Sequence, residues 1–282
     1  MARWQIGGHE VHPIGIGTWG MGGDRLADGN PYADYRYDER DVEAIRYAIA
    51  QGQNHIDTAQ LYGAGHTEEI VGEAISGLDR DRLFIATKVW RSHSLRNAVP
   101  KAAEESLRKM RIDTLDLLYV HAPWDAIPMD DYIAGLNDAQ DAGLTRAIAV
   151  SNFNARQLNQ AISASKHPIV ANQVHYNMLH AGLVDDEMRG LCSQHGIAIV
   201  AYRPVERRML ADRTDSKVVL DAAADLGCTP AQLAIAWLIS QPGVVTIPKA
   251  SSTEHIDENL GSMHVSIPDG IRARIDAQLG TL

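Results

Sequence analysis

Short apolar runs alternate with amphipathic segments along nearly the whole chain. Each run has the length of one strand, and we predict eight strands, at residues 14–18, 54–58, 83–88, 115–121, 146–150, 169–173, 197–202 and 244–247. Between the runs, apolar residues recur at three- and four-residue steps, as at Val42, Ile45 and Ile49. That spacing places one face of a helix against a sheet. The alternation is typical of βαβ units and predicts parallel strands.

Helix boundaries are marked by residues that satisfy free backbone groups. We expect helices to start at Thr67, at Asn154 and at Thr229, because a hydroxyl or amide oxygen can accept from the first free N–H groups. Pro230 at the first helical position strengthens the last of these. We expect helices to stop where a glycine follows the helical pattern, since glycine adopts the left-handed conformation readily, at Gly52, Gly143, Gly196 and Gly227.

Eight strands with crossover helices predict a single (β/α)₈ barrel domain over residues 1–282, of the α/β class. An N-terminal β-hairpin that turns at Gly7 and Gly8 precedes it. The alternative is a doubly wound sheet, whose first strand would be followed by G-x-G-x-x-G and a helix. Glycines at 15, 17, 20, 22 and 23 approach that motif, but the polar stretch 24–37 follows them. We therefore favour the barrel, with its binding sites at the C-terminal rim.

The composition of the chain restricts the classes of molecule that it can bind. The formal charge of −10 and the lack of basic runs disfavour nucleic acids and anionic membranes as partners. No stretch reaches the roughly 20 apolar residues of a membrane-spanning helix, and the N-terminus lacks the apolar core of a signal peptide, so we expect a cytoplasmic enzyme. Cys192 and Cys228 belong to no CxxC and have no histidine at ligand spacing, so we expect free thiols and no metal site.

Ionisable residues end three neighbouring predicted strands. Asp57, Lys88 and His121 are the final residues of apolar runs, and Tyr62 lies five residues beyond Asp57. Strand ends meet at one mouth of a barrel, so we expect the four side chains to converge. A phenol has a pKa near ~10 and is a poor acid unless a cation stabilises its anion. Lys88 provides that cation, and Asp57 keeps Lys88 charged, which predicts a proton-donating site.

Other interpretations of these residues stay open. Asp57 and Lys88 taken alone fit an ordinary ion pair at the rim, and Tyr62 taken alone fits a hydroxyl at the edge of the core. A strand-end lysine beside a tyrosine also fits a barrel aldolase, in which Lys88 forms a Schiff base. Asp57 argues against the aldolase, because a carboxylate keeps the amine protonated and so not nucleophilic.

Further motifs occur in order on the predicted strands. The chain resembles the aldo-keto reductases over essentially its whole length, and in its short C-terminal segment it is similar to the prokaryotic members. The motifs that carry the resemblance are Gly-Ile-Gly-Thr-Trp at 15–19, His-Ile-Asp-Thr-Ala-x-x-Tyr-Gly at 55–63, Thr-Lys-Val-Trp at 87–90, Val-Ser-Asn-Phe at 150–153, Asn-Gln-Val at 172–174, Ala-Tyr-Arg-Pro at 201–204, Ile-Pro-Lys at 247–249 and Glu-Asn at 258–259.

The resemblance implies reduction of aldehydes or ketones to alcohols by hydride transfer from NADPH, with NADH as a possible substitute. It implies that Tyr62 is the general acid, that Lys88 and Asp57 support it, and that His121 directs the carbonyl oxygen. The partner is then a small carbonyl compound, and we expect a monomer. A cofactor-binding regulatory protein with little turnover, as some relatives are thought to be, remains an alternative.

The resemblance also assigns cofactor contacts. It implies that Ser151, Asn152 and Gln173 hold the nicotinamide carboxamide, that Tyr202 stacks on the ring, and that Glu258 and Asn259 meet the adenine. The other residues it implies for the cofactor site are Thr18, Trp19, Asp57, Pro204, Lys249, Ser251 and Ser252, of which the last three cradle the 2′-phosphate.

Two cofactor positions depart from the family pattern. Arg203 stands where a serine is common, and its guanidinium suits a phosphate contact, although a solvated surface arginine fits as well. His255 stands where arginine is common, and a histidine is fully charged only below a pKa of about 6.5. We therefore expect a preference for NADPH that is weaker than usual and that tightens as the pH falls.

On the substrate side we expect an apolar pocket around Tyr62 and His121. Its predicted lining is Trp19, Met21, Trp90 and Trp124. The chain ends at Leu282, soon after a predicted last helix at 268–278, so we expect a wide mouth without a long C-terminal loop. Residues 206–215, with Arg207, Arg208 and Arg213, are the candidate flap over the cofactor pyrophosphate.

Overall fold

The computed structural model describes residues 4–24, 26, 29–90, 95–180, 183–206 and 216–279. A short antiparallel hairpin, β1 (Gln5–Ile6) and β2 (His9–Glu10), comes first. Eight parallel strands follow: β3 (Ile16–Gly17), β4 (His55–Asp57), β5 (Phe84–Val89), β6 (Leu115–Val120), β7 (Thr145–Ser151), β8 (Ile169–His175), β9 (Ala198–Tyr202) and β10 (Val244–Thr246).

Helices connect the strands and surround them. In chain order they are α1 (Asp38–Ala50), α2 (His66–Ile75), α3 (Val99–Met110), α4 (Met129–Asp141), α5 (Ala155–Ala164), α6 (Asp186–His195), α7 (Lys217–Leu226), α8 (Pro230–Ile239), α9 (Thr253–Gly261) and α10 (Asp269–Leu279). The last of these lies within a residue of the helix predicted at 268–278.

The sheet closes on itself. Strands β3 to β10 pair with their sequence neighbours in order, all in parallel. The first and last segments are joined by backbone hydrogen bonds from Gly15 N to Thr246 O (2.7 Å), from Thr246 N to Pro13 O (2.8 Å) and from Gly17 N to Pro248 O (3.1 Å). The predicted barrel with its N-terminal hairpin is therefore confirmed, and the doubly wound alternative is wrong.

Two of the three predicted helix starts are confirmed. The side chains of Asn154 and Thr229 each accept from the third backbone N–H of α5 and α8, in complete capping boxes. The start at Thr67 is wrong, because α2 begins one residue earlier, after Gly65. Thr67 is fully buried, and its hydroxyl donates to Met21 O (2.6 Å). Its side chain therefore fastens the loop after β3 and does not cap the helix.

All four predicted glycine stops adopt the left-handed conformation. Their φ angles are 98° at Gly52, 75° at Gly143, 64° at Gly196 and 63° at Gly227. At Gly196 the turn ends α6 and leads into β9 within two residues.

The barrel interior is filled mainly by small residues. Phe84, Leu117 and Tyr119 share it with five buried alanines, and Ile6 and Val11 of the hairpin region join the same cluster. Successive side chains of a strand face opposite sides, so Lys88 points inward with Phe84 and Ala86. The apolar interior thus supports Lys88 from one side, while the larger residues between the barrel and its helices form a second core.

His55 of β4 is a fully buried histidine in this interior. Neither ring nitrogen has a hydrogen-bond partner among the described residues. Burial lowers its pKa from 6.5 to about 4, with the Asp57 carboxylate opposing the shift and Lys88 adding to it. In the unfolded chain this histidine is protonated below about pH 6.5, whereas in the folded chain it is protonated only below about pH 4. The free energy of unfolding therefore falls as the pH is lowered from about 6.5 to about 4.

Replacing His55 with Leu removes this proton-linked loss. Between pH 7.5 and 4.5 we expect the wild type to lose about 2–3 kcal/mol more unfolding free energy than His55→Leu. Urea titrations of both proteins at the two pH values measure the difference. Equal losses would show that His55 protonates as easily in the folded chain as in the unfolded one.

Both cysteines are free thiols, as predicted, with Cys192 buried and Cys228 half-buried. Nowhere in the described part of the chain do three or more His, Cys, Asp or Glu side chains form a group suited to a metal ion. Over the same residues, no single helix is long and apolar enough to cross a membrane. The helices α7 and α8, which meet at an angle of 91°, would together be long and apolar enough by length and composition alone.

Candidate active site

Lys88 forms the base of the candidate active site. Its side chain is fully buried at the end of β5. Its ammonium donates to Asp57 Oδ1 (2.5 Å) and to Thr58 O (2.8 Å), and its Nζ lies 3.4 Å from the Tyr62 hydroxyl. Three of the four residues predicted to converge are thus in direct contact.

Charge is retained on Lys88 despite its burial. Burial alone lowers the pKa of Lys88, but the neighbouring Asp57 carboxylate and the Tyr62 phenol outweigh it and raise the pKa above 10.5. Asp57 is held from its other side by Gln173, whose Nε2 donates to Oδ2 (2.7 Å). An ammonium with a raised pKa is not a nucleophile, which disfavours the Schiff-base aldolase.

Tyr62 is aimed by the turn that follows it. The chain turns through Gly63, Ala64 and Gly65, all with positive φ. A Cβ on Gly63 would lie 2.4 Å from Gly22 O, so only glycine fits directly after Tyr62. Two residues earlier, Gln60 donates from Nε2 to Ala102 O in α3 (2.8 Å). The loop that carries Tyr62 therefore packs closely against the loop after β3 and is hydrogen-bonded to α3.

His121 follows β6 and completes the group of four. Its ring lies edge-on to Tyr62, with 5.8 Å between the centroids, and edge-on to Trp90, with 5.1 Å. The structure thus brings Asp57, Tyr62, Lys88 and His121 together at the rim, as the sequence predicts. Trp90 adjoins this group and fixes one side of the imidazole.

A second polar group lies across the barrel mouth. Ser151 Oγ donates to Gln173 O (2.9 Å), and Asn152 Nδ2 donates to Ser151 Oγ and to His121 O, both at 3.1 Å. The Tyr202 hydroxyl donates to Asn152 Oδ1 (2.9 Å). Asn152 has φ 62°, an unusual conformation for a non-glycine residue and one that clusters at functional sites.

A cavity of about 840 Å³ joins these two groups to the beginning of α9. Most of the predicted site residues line it. They are Thr18, Trp19, Asp57, Tyr62, His121, Ser151, Asn152, Gln173, Tyr202, Arg203, Pro204, Lys249, His255, Glu258 and Asn259. Lys88 lies just beneath the lining, and Ser251 and Ser252 lie beside it.

Three predicted substrate contacts are placed differently. The prediction that Met21 lines the substrate pocket is wrong, because its side chain is completely buried in the outer core and does not reach the cavity. Gly20 before it has φ 80°, which turns the chain inward at that point. Trp124 packs partly against the same core, and Trp90 lies beside His121, so neither is among the lining residues. Trp19 lines the cavity and remains 44% exposed.

At the far end of the cavity, Lys249 donates to Ser251 Oγ (2.8 Å). Ser252 is the N-cap of α9, and its hydroxyl accepts from His255 N (3.4 Å). The positive end of a helix dipole therefore adjoins a lysine and a histidine, an arrangement that suits an anionic group.

Arg203 bridges two loops of the mouth. Its backbone has φ 51°, and its guanidinium lies 4.8 Å from the centre of the Trp19 ring. The expected phosphate contact stays a prediction. Of the candidate flap at 206–215, the residues Arg207, Arg208 and Arg213 lie outside the described residues.

Among the described residues, six that line the cavity are not predicted from the sequence. They are Gly17, Leu61, Val205, Ala231, Ile247 and Pro248. Gly17, Ile247 and Pro248 belong to motifs already noted, and proximity to Trp19 and Lys249 could have identified them. Leu61, Val205 and Ala231 are apolar residues of loops and of a helix start, and no local signal separates them from core positions.

A sequence model of the Aldo/keto reductase family matches residues 13–279. Among solved structures, the chain is similar to a thermostable aldo-keto reductase, Tm1743, in complex with the inhibitor epalrestat. That similarity has a TM-score of 0.91 and 37% identity, and it covers 99% of this chain and all of the other.

Two further proteins similar to this chain are described with a cofactor or an activity. An aldo/keto reductase from Klebsiella pneumoniae in complex with NADP and acetate has a TM-score of 0.83 and 32% identity, covering 98% of this chain and 94% of its own. The methylglyoxal reductase YeaE of Escherichia coli strain K12 is 30% identical over 267 residues, which are 93% of this chain and 89% of YeaE.

Proposed function

Since this chain belongs to the aldo/keto reductase family of oxidoreductases, we propose that it reduces aldehydes or ketones to alcohols with NADPH, and that Tyr62 is the proton donor. The observation that carries the proposal is the buried Lys88 ammonium. It is held by Asp57 and lies 3.4 Å from the Tyr62 hydroxyl at the floor of the cavity.

The residues of the cavity fit a phosphorylated dinucleotide. One end has the Tyr202 ring beside amide side chains, which suits a flat carboxamide-bearing ring, and the other has Lys249 at a helix N-terminus, which suits phosphate. A single cavity joins the two ends. Homologous structures, among them the Klebsiella pneumoniae protein, are in complex with NADP.

NADPH, when bound, supplies the hydride. The protein supplies the proton, which passes from the Tyr62 hydroxyl to the carbonyl oxygen of the substrate. The phenolate left behind is stabilised by the Lys88 ammonium, and Asp57 keeps that ammonium charged and fixed in place. Because these groups are oriented before substrate arrives, they need no rearrangement as the charge develops.

His121 orients the substrate. Its imidazole stands beside Tyr62 at the cavity wall, where a ring N–H can donate to the same carbonyl oxygen. Two donors that converge on one oxygen fix the direction of the carbonyl group. Trp90, packed against the ring, limits the rotation of His121.

We infer that Ser151, Asn152 and Gln173 receive the carboxamide and that Tyr202 forms the wall behind the nicotinamide. The tight internal hydrogen bonds of this group hold its members in fixed positions. The apolar part of the mouth, with Trp19 and Leu61, suits a small carbonyl compound with an aliphatic or aromatic substituent. We further propose that the protein acts as a monomer in the cytoplasm.

The direct test of the function is the absorbance change of NADPH and of NADH, followed in parallel with a panel of aldehydes and ketones. The panel should include methylglyoxal, since one relative is a methylglyoxal reductase. We expect carbonyl-dependent oxidation that is faster with NADPH. Tight cofactor binding without turnover of any carbonyl would favour the regulatory alternative.

The cofactor preference should depend on His255, which lines the cavity near Lys249. We expect His255→Arg to raise the ratio of NADH to NADPH dissociation constants about tenfold, because arginine is always charged and grips phosphate through two N–H groups. Fluorescence titration of both cofactors measures the ratio. His264→Arg, a substitution at an exposed site beyond α9, is the matched control. An unchanged ratio in His255→Arg would place the 2′-phosphate elsewhere.

A further inference from the structure

Three aromatic rings are stacked behind the cavity wall. His175, the last residue of β8, lies nearly parallel to Tyr202, with 5.4 Å between the centroids and 12° between the planes. The other face of His175 is covered by His180, at 4.0 Å and 22°. Since His175 covers one face of Tyr202, the opposite face is the one available to the cavity that Tyr202 lines.

The stack is tied to its surroundings through His175. Its Nε2 lies 2.6 Å from Glu206 Oε1. A carboxylate only accepts hydrogen bonds, so this short contact assigns the proton to Nε2. The Asn177 amide nitrogen, which lies 3.3 Å from the same atom, donates to Arg203 O (2.8 Å) instead. At the far edge of Tyr202, the hydroxyl donates to Asn152 Oδ1. Tyr202 is thus fixed at its hydroxyl by Asn152 and across its face by an imidazole bonded to a carboxylate.

We propose that His175, together with Glu206, is a positioning residue that holds the Tyr202 ring in place and makes its cavity face more attractive to the positively charged, oxidised nicotinamide than to the neutral, reduced form. The inference deepens the proposed function and rests on it, since it takes the Tyr202 face as the nicotinamide site. The chemistry is that of a cation over the negative face of an aromatic ring.

The charges around His175 determine which form of the nicotinamide, oxidised or reduced, binds more tightly to the Tyr202 face. His180 stacks on His175, Glu206 is bonded to it, and Arg203 and Tyr202 lie beside it. Burial, His180 and the Arg203 guanidinium lower the pKa of His175, while Glu206 opposes them. At neutral pH a neutral imidazole therefore stands behind Tyr202, with Glu206 bonded to the imidazole and the Arg203 cation close to both rings. In acid the imidazole becomes a cation on the same ring, and its charge repels the nicotinamide cation on the opposite face.

The test compares the dissociation constants of NADP⁺ and NADPH at about pH 5.5 and about pH 8, which span histidine titration. In the wild type we expect acid to weaken NADP⁺ more than NADPH. His175→Phe keeps a ring but no titrating group, so the acid-induced change in the ratio of the two constants should fall at least threefold. At pH 8, Glu206→Gln should weaken NADP⁺ roughly 3- to 10-fold and NADPH less than twofold.

Comparison with the wild type isolates His175 from the other histidines. His121 and His255 are present in both the wild type and His175→Phe, and His195→Phe at the exposed end of α6 is the matched control. His175→Ala should weaken both cofactors, because the ring behind Tyr202 is lost. If that variant does not fold, His175→Phe and Glu206→Gln decide the question.

The proposal is overturned if the wild type binds both cofactors while His175→Phe and Glu206→Gln retain its affinities and its pH dependence within twofold. Failure of the proposed function looks different. Binding with the predicted pH dependence but no carbonyl turnover would remove the reductase and leave His175 as inferred. A wild type that binds neither NADP⁺ nor NADPH would overturn both the proposed function and the inference about His175.

Discussion

Replacing Tyr62 with Phe should lower kcat for carbonyl reduction about 10²- to 10⁴-fold, the usual contribution of a positioned proton donor. Phenylalanine keeps the ring that stands edge-on to His121 and removes only the hydroxyl near Lys88. The dissociation constant of NADPH should therefore stay within about twofold of the wild type. Steady-state rates and a cofactor titration on the same preparation measure both quantities.

The matched control is Tyr35→Phe, which removes a hydroxyl from a tyrosine that is 66% exposed in the 3₁₀ turn before α1. It should leave the rate unchanged. If Tyr62→Phe retained more than about a tenth of the wild-type rate, the proton would have to come from another group, and His121 would be the next residue to replace.

Replacing Lys88 with Met should remove both activity and stability. The variant leaves Asp57, which is 1% exposed, without its cation, and breaking a buried ion pair in this way costs about 3–5 kcal/mol. We also expect kcat to fall by at least about 10²-fold, because the Tyr62 phenolate loses its stabilising charge. Urea unfolding and steady-state kinetics measure the two effects separately.

The double variant Asp57→Asn with Lys88→Met separates those effects. It removes both charges from the barrel, so most of the lost stability should return, while the activity should not. If activity returned together with stability, Lys88 would act only as a structural ion pair. If the double variant were no more stable than Lys88→Met, the uncompensated carboxylate would not be the cause of the destabilisation.

The fold could be predicted from the sequence because its signals are local and repeated. Each strand is a short apolar run, and each stop glycine needs only the left-handed conformation that ends a helix. Asp57, Lys88 and His121 follow from the same regularity, since the C-terminal ends of parallel strands meet at one rim of the barrel, and Tyr62 lies in the short loop after the first of these strands. Their convergence at the barrel mouth is therefore a consequence of topology.

The wrong predictions concern side chains that could make either of two favourable contacts. Thr67 could cap α2 or donate to Met21 O, and tertiary packing selects the second. Met21 could line the cavity or enter the core, and the turn at Gly20 sends it inward. The contact of Arg203 with Trp19 joins residues distant in sequence, and no local pattern announces it. The same holds for the His175 stack, which forms between the ends of adjacent strands.

The most direct test of the central claim follows the hydride itself. NADPH deuterated at C4 on the transferred side is incubated with the protein and a carbonyl substrate that the protein reduces, and the alcohol is analysed by mass spectrometry. We predict one deuterium on the former carbonyl carbon in the wild type, and at least about 10²-fold less labelled alcohol after the same time with Tyr62→Phe. Unlabelled alcohol, or cofactor oxidation without any alcohol, would contradict direct hydride transfer to the substrate in this site.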